Sequence, residues 1–160
     1  MTPANLPPDQ KPVLRESNGE AATSTTDERF EPARLPINNI MDVVYARRRG
    51  LEMALALGFP QPEATKIAVV ISELGRNIIL YTKGGIITLI AYMADKKGIK
   101  VIAQDQGPGI KDLDLVMEGG HSTSKGLGLG VSGSKRLMDE FEVNTIIGGG
   151  TKITAAKWLR

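Results

Sequence analysis

The chain has 160 residues, seven aromatic side chains, one histidine and no cysteine, with 20 basic against 18 acidic residues and a formal net charge of +2. That length supports one domain with a tail, and the missing cysteines exclude disulfides, thiolate metal sites and a cysteine nucleophile while suiting a reducing cytoplasm. The lone histidine, His121, excludes a multi-histidine zinc site and argues against a Ser-His-Asp hydrolase, the scattered basic residues give no nucleic-acid surface, and no apolar run approaches the ~20 residues that span a bilayer.

The first 36 residues hold six of the nine prolines, a Thr23 to Thr26 hydroxyl cluster, and four basic against six acidic side chains. Their apolar residues are few and unpatterned, so they cannot offset the entropy of ordering the segment. A disordered tail is expected over 1–36, either a plain extension or a docking peptide. Met1 to Gln10 lacks the basic-then-apolar order of a secretory signal. Residues 37–160 carry nearly all the periodic apolar pattern and are expected to form a single domain without internal repeats. A domain of this size buries roughly two-thirds of its unfolded surface.

Arg34 to Asn38 reads as a short edge strand. Asn39 with Asp42 resembles a capping box opening a helix through Leu57, which Gly58 stops. Pro60 and Pro62 start a second helix running to about Thr82. Its stripe of Ile67, Val70, Ile71, Leu74, Ile78 and Tyr81 is the firmest helical period in the chain. Ile86 to Ala94 and Ile99 to Asp105 are β-rich runs joined by Asp95-Lys96-Lys97-Gly98, a hairpin signal. A short helix is expected over Asp112 to Glu118, followed by a polar, glycine-rich stretch from Gly119 to Gly130 with no period. Val131 to Phe141 reads as a helix. Glu142 to Ile147 and Thr151 to Leu159 read as strands around the turn Gly148-Gly149-Gly150. This order favours an α+β fold, a two-layer sandwich with helices on one face of a mostly antiparallel sheet.

Three clusters bear chemistry. Glu73 and Asn77 lie one helical turn apart on the flank of the Leu74 stripe. A carboxylate and an amide there suit a hydrated Mg²⁺ and a reacting hydroxyl, since magnesium takes one or two protein oxygens and leaves the rest to water and phosphate. A polar border pair on an amphipathic helix accounts for the same residues. Mid-helix Gly75 costs about 1 kcal/mol relative to alanine, which suggests close approach of another group. Asp105-Gln106-Gly107-Pro108-Gly109 follows the hairpin's second strand. Its glycines permit a sharp turn beside a flat ligand, and Asp105 could accept from an exocyclic amine such as adenine's; a simple Asp-initiated turn is the alternative. Gly126-Leu127-Gly128-Leu129-Gly130 leads into a helix and exposes backbone N–H groups, an anion cradle. It contains GxGxxG without a preceding strand, and Ser134-Lys135 reverses the P-loop order, so neither of those nucleotide folds fits. A lid over a triphosphate fits better. Eleven of the 18 glycines fall between Gly107 and Gly150.

Taken in order, E-x-x-x-N, D-x-G-x-G and G-x-G-x-G resemble the three boxes of the ATP-binding fold shared by gyrase, Hsp90, histidine kinases and MutL, the GHKL superfamily. Within it, 37–160 is similar to the small bacterial anti-sigma-factor serine/threonine kinases, stressosome switch kinases among them. The similarity includes Lys135 to Phe141 and Thr154 to Arg160. It implies a Bergerat-type fold, a cytoplasmic location, ATP and Mg²⁺ as cofactors, and phosphorylation of a STAS-domain partner in a sigma-factor partner-switching pathway. It also implies roles: Glu73 as general base, Asn77 as Mg²⁺ ligand, and Asp105 reading adenine with Gly107 and Gly109 giving room. Gly126, Gly128 and Gly130 would close on the phosphates, Thr151 would back the adenine, and Arg47 would contact a partner. A solvated helix face accounts equally for Arg47-Arg48-Arg49. His121, Ser122, Thr123 and Ser124 are read as polar filler of the lid. The tail, Ser132 and Ser134 depart from the family pattern. The competing function is a nucleotide-gated binding protein that sequesters a sigma factor or activates a PP2C-type phosphatase without turnover. A detached histidine-kinase half lacks its histidine and dimerisation heptads, and a MutL-like ATPase lacks a transducer domain. No nucleic-acid or membrane partner is expected.

Overall fold

A computed structural model describes residues 27–118 and 130–160. Asn39 starts the first helix, α1 (Ile40–Leu57): its side chain accepts the Asp42 N–H at 3.0 Å, and the Asp42 carboxylate accepts the Asn39 N–H at 3.2 Å. These bonds satisfy two N–H groups that no helical turn can reach. Gly58 ends α1 in the left-handed region, at φ 101°, where a side chain would be strained. The second helix, α2 (Gln61–Tyr81), follows at once with Pro62 in its first turn. Ile67, Val70, Ile71, Leu74 and Ile78 are all buried along it. Tyr81, expected in that stripe, is 53% exposed; it closes the last turn, where its phenol stays in water. Gly75 answers its own question of what approaches: a Cβ there would lie 3.0 Å from both methyls of Val43. The small residue lets α1 and α2 pack closely.

The described residues also form five strands: β1 (Ala33–Ile37), β2 (Gly85–Tyr92), β3 (Gly98–Asp105), β4 (Glu140–Ile146) and β5 (Gly150–Trp158). They form one sheet in the order β1-β2-β3-β5-β4, with every neighbouring pair antiparallel. Two short helices, α3 (Leu113–Glu118) and α4 (Gly130–Leu137), precede β4. The α+β sandwich expected from the sequence is the one observed. Side chains paired across strands share a face, so the register lays down rows. Ala33, Leu89, Val101, Ala155 and Phe141 form one core row, and Leu35, Ile87, Ala103, Ile153 and Val143 the next. On the same face, the following row reads Ile37, Gly85, Asp105, Thr151, Thr145. Its change from apolar to polar marks the edge of the core.

Two expectations need correction. Residues 27–36, assigned to the tail, are part of the fold: Asp27 caps a 3-10 turn over Glu28–Phe30, Phe30 packs on the core, and β1 begins at Ala33. Residues 1–26 lie outside the described residues. The helix expected over Val131 to Phe141 stops at Leu137. There Met138 N–H turns back to the Lys135 carbonyl and Asp139 N–H joins the Ala156 carbonyl, so Phe141 enters the sheet opposite Ala155. Leu137 and Phe141 are four apart, which suits a helix, yet cross-strand pairing prevails. Buried Ser134, a departure from the family pattern, is satisfied by donating to the Gly130 carbonyl at 2.9 Å, the back-bond open to a helical hydroxyl. No helix among the described residues is long and apolar enough to cross a membrane.

The end of the sheet away from Asp105 is held by charge. Buried Lys157 donates from Nζ to the Leu137 carbonyl at 3.0 Å and lies 3.0 Å from Glu63 Oε2, while Lys66 bonds Glu63 Oε1 at 2.9 Å. Hydrogen bonds from Lys66 and then Lys157 hold the Glu63 carboxyl below its usual range. A lowered folded value means stabilisation present above the unfolded pKa, near 4.3, and lost as the pH falls through the folded one. Lys157→Met is expected to lower unfolding stability at neutral pH by about 1–3 kcal/mol, because the Leu137 carbonyl loses its donor. The difference should narrow on acidification. Thermal melts at neutral and acid pH check it; coincident melts at neutral pH contradict it.

Candidate functional site

The polar row is where side chains with chemistry meet. Asp105 ends β3, and its Oδ1 accepts the Gly107 N–H at 2.8 Å, closing a tight turn. Gly107 lies against the end of α2: a Cβ there would come 2.6 Å from Thr82 Cγ2. Thr82 is fixed in turn, donating to the Ile78 carbonyl at 2.7 Å and accepting the Gly84 N–H at 3.0 Å. The turn after β3 is thereby tied to the helix that carries Glu73 and Asn77.

On the other side, the same turn is stitched to the β4–β5 hairpin. Gly109 has φ +80°, and a Cβ would lie 2.5 Å from the Ile146 carbonyl oxygen, so neither the conformation nor the space admits a side chain. Gly148 N–H donates to the Pro108 carbonyl at 2.8 Å. Ile110 N–H donates to Thr145 Oγ1 at 2.8 Å, and Thr145 Oγ1 lies 3.0 Å from Thr151 Oγ1. Thr151 is 8% exposed and sits opposite Asp105 in the register. Asp105, Gly107, Gly109 and Thr151 therefore form one cluster, and the space beside the two glycines is taken by Thr82 and by hairpin backbone.

On α2, Glu73 and Asn77 border the core as the spacing predicted. The Glu73 side chain is 12% exposed, with Arg76 Nη1 3.9 Å from its Oε1. Asn77 is half-buried one residue before Ile78, whose Cδ1 would lie 3.2 Å from a Cβ on Gly85 in the polar row. Gly130 opens α4 at φ +65°, and among the described residues no atom outside its own helix turn lies within 4 Å of where a Cβ would stand. Gly126 and Gly128 lie outside the described residues, as do His121, Ser122, Thr123 and Ser124. Arg47 stands exposed on α1 and joins no ion pair among the described residues.

Three contributors were not singled out from sequence. Arg76 stands three residues from Glu73, the ordinary helical ion-pair spacing. Thr82 and Thr145 carry no local signal; only the register shows that Thr145 faces Thr151.

The donor set fits a magnesium nucleotide. One amide oxygen at Asn77 beside one carboxylate at Glu73 matches an ion that keeps most of its water and binds phosphate oxygens. Asp105 has one oxygen committed to Gly107, and among the described residues no donor is bonded to the other, which suits an exocyclic amine.

The family described as histidine kinase-, DNA gyrase B-, and HSP90-like ATPase matches residues 63–160. The sequence is similar to the serine/threonine-protein kinase RsbT of Bacillus subtilis, with 54% identity over 121 residues, 74% of this chain and 90% of that protein. It is also similar to the anti-sigma F factor of Caldanaerobacter subterraneus subsp. tengcongensis, with 32% identity over 103 residues, 61% of this chain and 71% of the relative. Among solved structures, the RsbU and RsbW domains of a Mycobacterium tuberculosis protein superpose with a TM-score of 0.55 at 17% identity, over 81% of this chain and 33% of that one. At such identity the likeness concerns the fold alone.

Proposed function

The chain belongs to the histidine kinase-, DNA gyrase B- and HSP90-like ATPase family, and from that premise we propose that it moves the terminal phosphoryl group of ATP to a serine or threonine of a STAS-domain partner. It is a serine/threonine protein kinase of the kind that regulates sigma factors by partner switching. The observation that carries this reading is the 54% identity to a serine/threonine kinase over 90% of that enzyme's length.

Each side chain then has a task. Asp105 accepts the amine of the purine and sets its orientation, with Thr151 beside it. Asn77 would hold the hydrated Mg²⁺ through its amide oxygen, and the ion would supply charge neutralisation on the phosphates. Glu73 accepts the proton of the partner's hydroxyl as that oxygen forms its bond to the γ-phosphorus and the bond to the β-phosphate oxygen breaks, releasing ADP. Phosphoryl transfer asks mainly for positioning and charge neutralisation, so this small set suffices. Gly126, Gly128 and Gly130 are assigned to covering the phosphates, and Arg47 to meeting the partner from α1.

Similarity to an anti-sigma F factor favours a second reading, in which nucleotide gates binding to a sigma factor or a PP2C-type phosphatase without turnover. Incubating the full chain with γ-labelled ATP, Mg²⁺ and purified STAS-domain proteins separates the two. The expected result is label on a serine or threonine of one partner. A stable complex that never acquires label overturns the kinase reading and leaves the binding one.

A further inference from the structure

Resting on the reading of the polar row as a purine pocket, we propose that Thr145 is a positioning residue that sets the direction of the Thr151 hydroxyl and makes the site select adenine over guanine. A threonine hydroxyl has one proton to give and lone pairs to receive with. Thr145 Oγ1 receives the Ile110 N–H at 2.8 Å. Its own proton has two destinations, Thr151 Oγ1 at 3.0 Å or the Gly150 carbonyl at 3.4 Å. The shorter contact is a good hydrogen bond and the longer one is marginal.

Either hydroxyl can donate across the 3.0 Å contact, but donation from Thr151 would leave the Thr145 proton only the 3.4 Å Gly150 contact; we therefore assign Thr145 as donor and Thr151 as receiver, which leaves the Thr151 proton to point away from β4. Its register partner in that direction is Asp105 on β3. The pocket then offers an acceptor, the Asp105 carboxylate, beside a donor, the Thr151 hydroxyl. Adenine presents the complement at its Watson–Crick edge, an exocyclic amine next to a ring-nitrogen acceptor. Guanine presents the reverse order, a carbonyl oxygen followed by a ring N–H, and would set its carbonyl against the carboxylate. Unpaired polar groups of this kind discriminate more strongly than shape does. Thr145 also holds the chain that follows Gly109 through Ile110, so both purine-reading segments depend on one hydroxyl.

Binding of ADP and GDP, each with Mg²⁺, to the full chain tests this in wild type, Thr145→Val and Thr145→Ser, with melting curves alongside. Wild type is expected to prefer ADP. The valine variant should bind ADP about tenfold more weakly and lose about tenfold in the ADP-to-GDP ratio, on the scale of one hydrogen bond to a charged network. The serine variant should restore both. Equal weakening toward ADP and GDP, with the ratio kept, would mean that Thr145 only supports the fold and overturns the proposal. Loss of discrimination in the serine variant also overturns it, and that result is decisive even if the valine variant fails to fold. A folded wild type that binds neither nucleotide contradicts the purine reading itself, an outcome distinct from failure of the Thr145 role.

Discussion

Glu73→Gln is expected to keep nucleotide affinity within about twofold while slowing phosphoryl transfer by about 10²–10⁴-fold, the usual worth of a positioned base. The exchange preserves shape at a side chain that is only 12% exposed, and a glutamine oxygen can still face Arg76. What it removes is the capacity to take a proton from the incoming hydroxyl. Single-turnover transfer to the STAS-domain partner, run beside a nucleotide titration, checks both halves. A variant that transfers at the wild-type rate contradicts the base assignment. A variant that loses binding as well shows that Glu73 holds the nucleotide instead.

Asp105→Asn should separate in the opposite sense, with binding lost first. The amide can still accept the Gly107 N–H now bonded at 2.8 Å, so the turn and the fold should survive. Its other half becomes a donor or a neutral acceptor where the purine amine needs a carboxylate. A charge-assisted hydrogen bond contributes about 1.5–3 kcal/mol, so ADP affinity should fall by about 10–150-fold. Calorimetric binding with a control melt measures this. Unchanged affinity would place the purine elsewhere.

The parts of the fold that could be read from sequence are those whose causes are local. The Asn39–Asp42 capping box, the Gly58 stop, the α2 stripe from Ile67 to Ile78 and the hairpin signalled around Asp95 all act within a few residues, and all are present, the hairpin loop running over 93–97 with Gly98 opening β3. Where pairing partners are distant, boundaries slip. The edge strand read at Arg34 to Asn38 is observed at Ala33–Ile37, its ends set by pairing with β2 some fifty residues on. Phe141 continues a helical spacing until Ala155 claims it. The site divides the same way. Glu73 with Asn77, and Asp105 with Gly107, stand out by spacing and turn chemistry. The contacts that join them, through Thr82 to α2 and through Thr145 to β5, follow from the packing of separate elements. Gly75 shows the limit well: the need for close approach was evident, but the neighbour proved to be Val43.

One titration tests the purine site most directly: magnesium-loaded ADP into the chain, followed by calorimetry while circular dichroism confirms the native fold. One nucleotide bound per chain, abolished by excess ATP analogue and weakened by Asp105→Asn, is the predicted result. Absence of heat at any concentration up to the millimolar range, from a chain that remains folded, would contradict it.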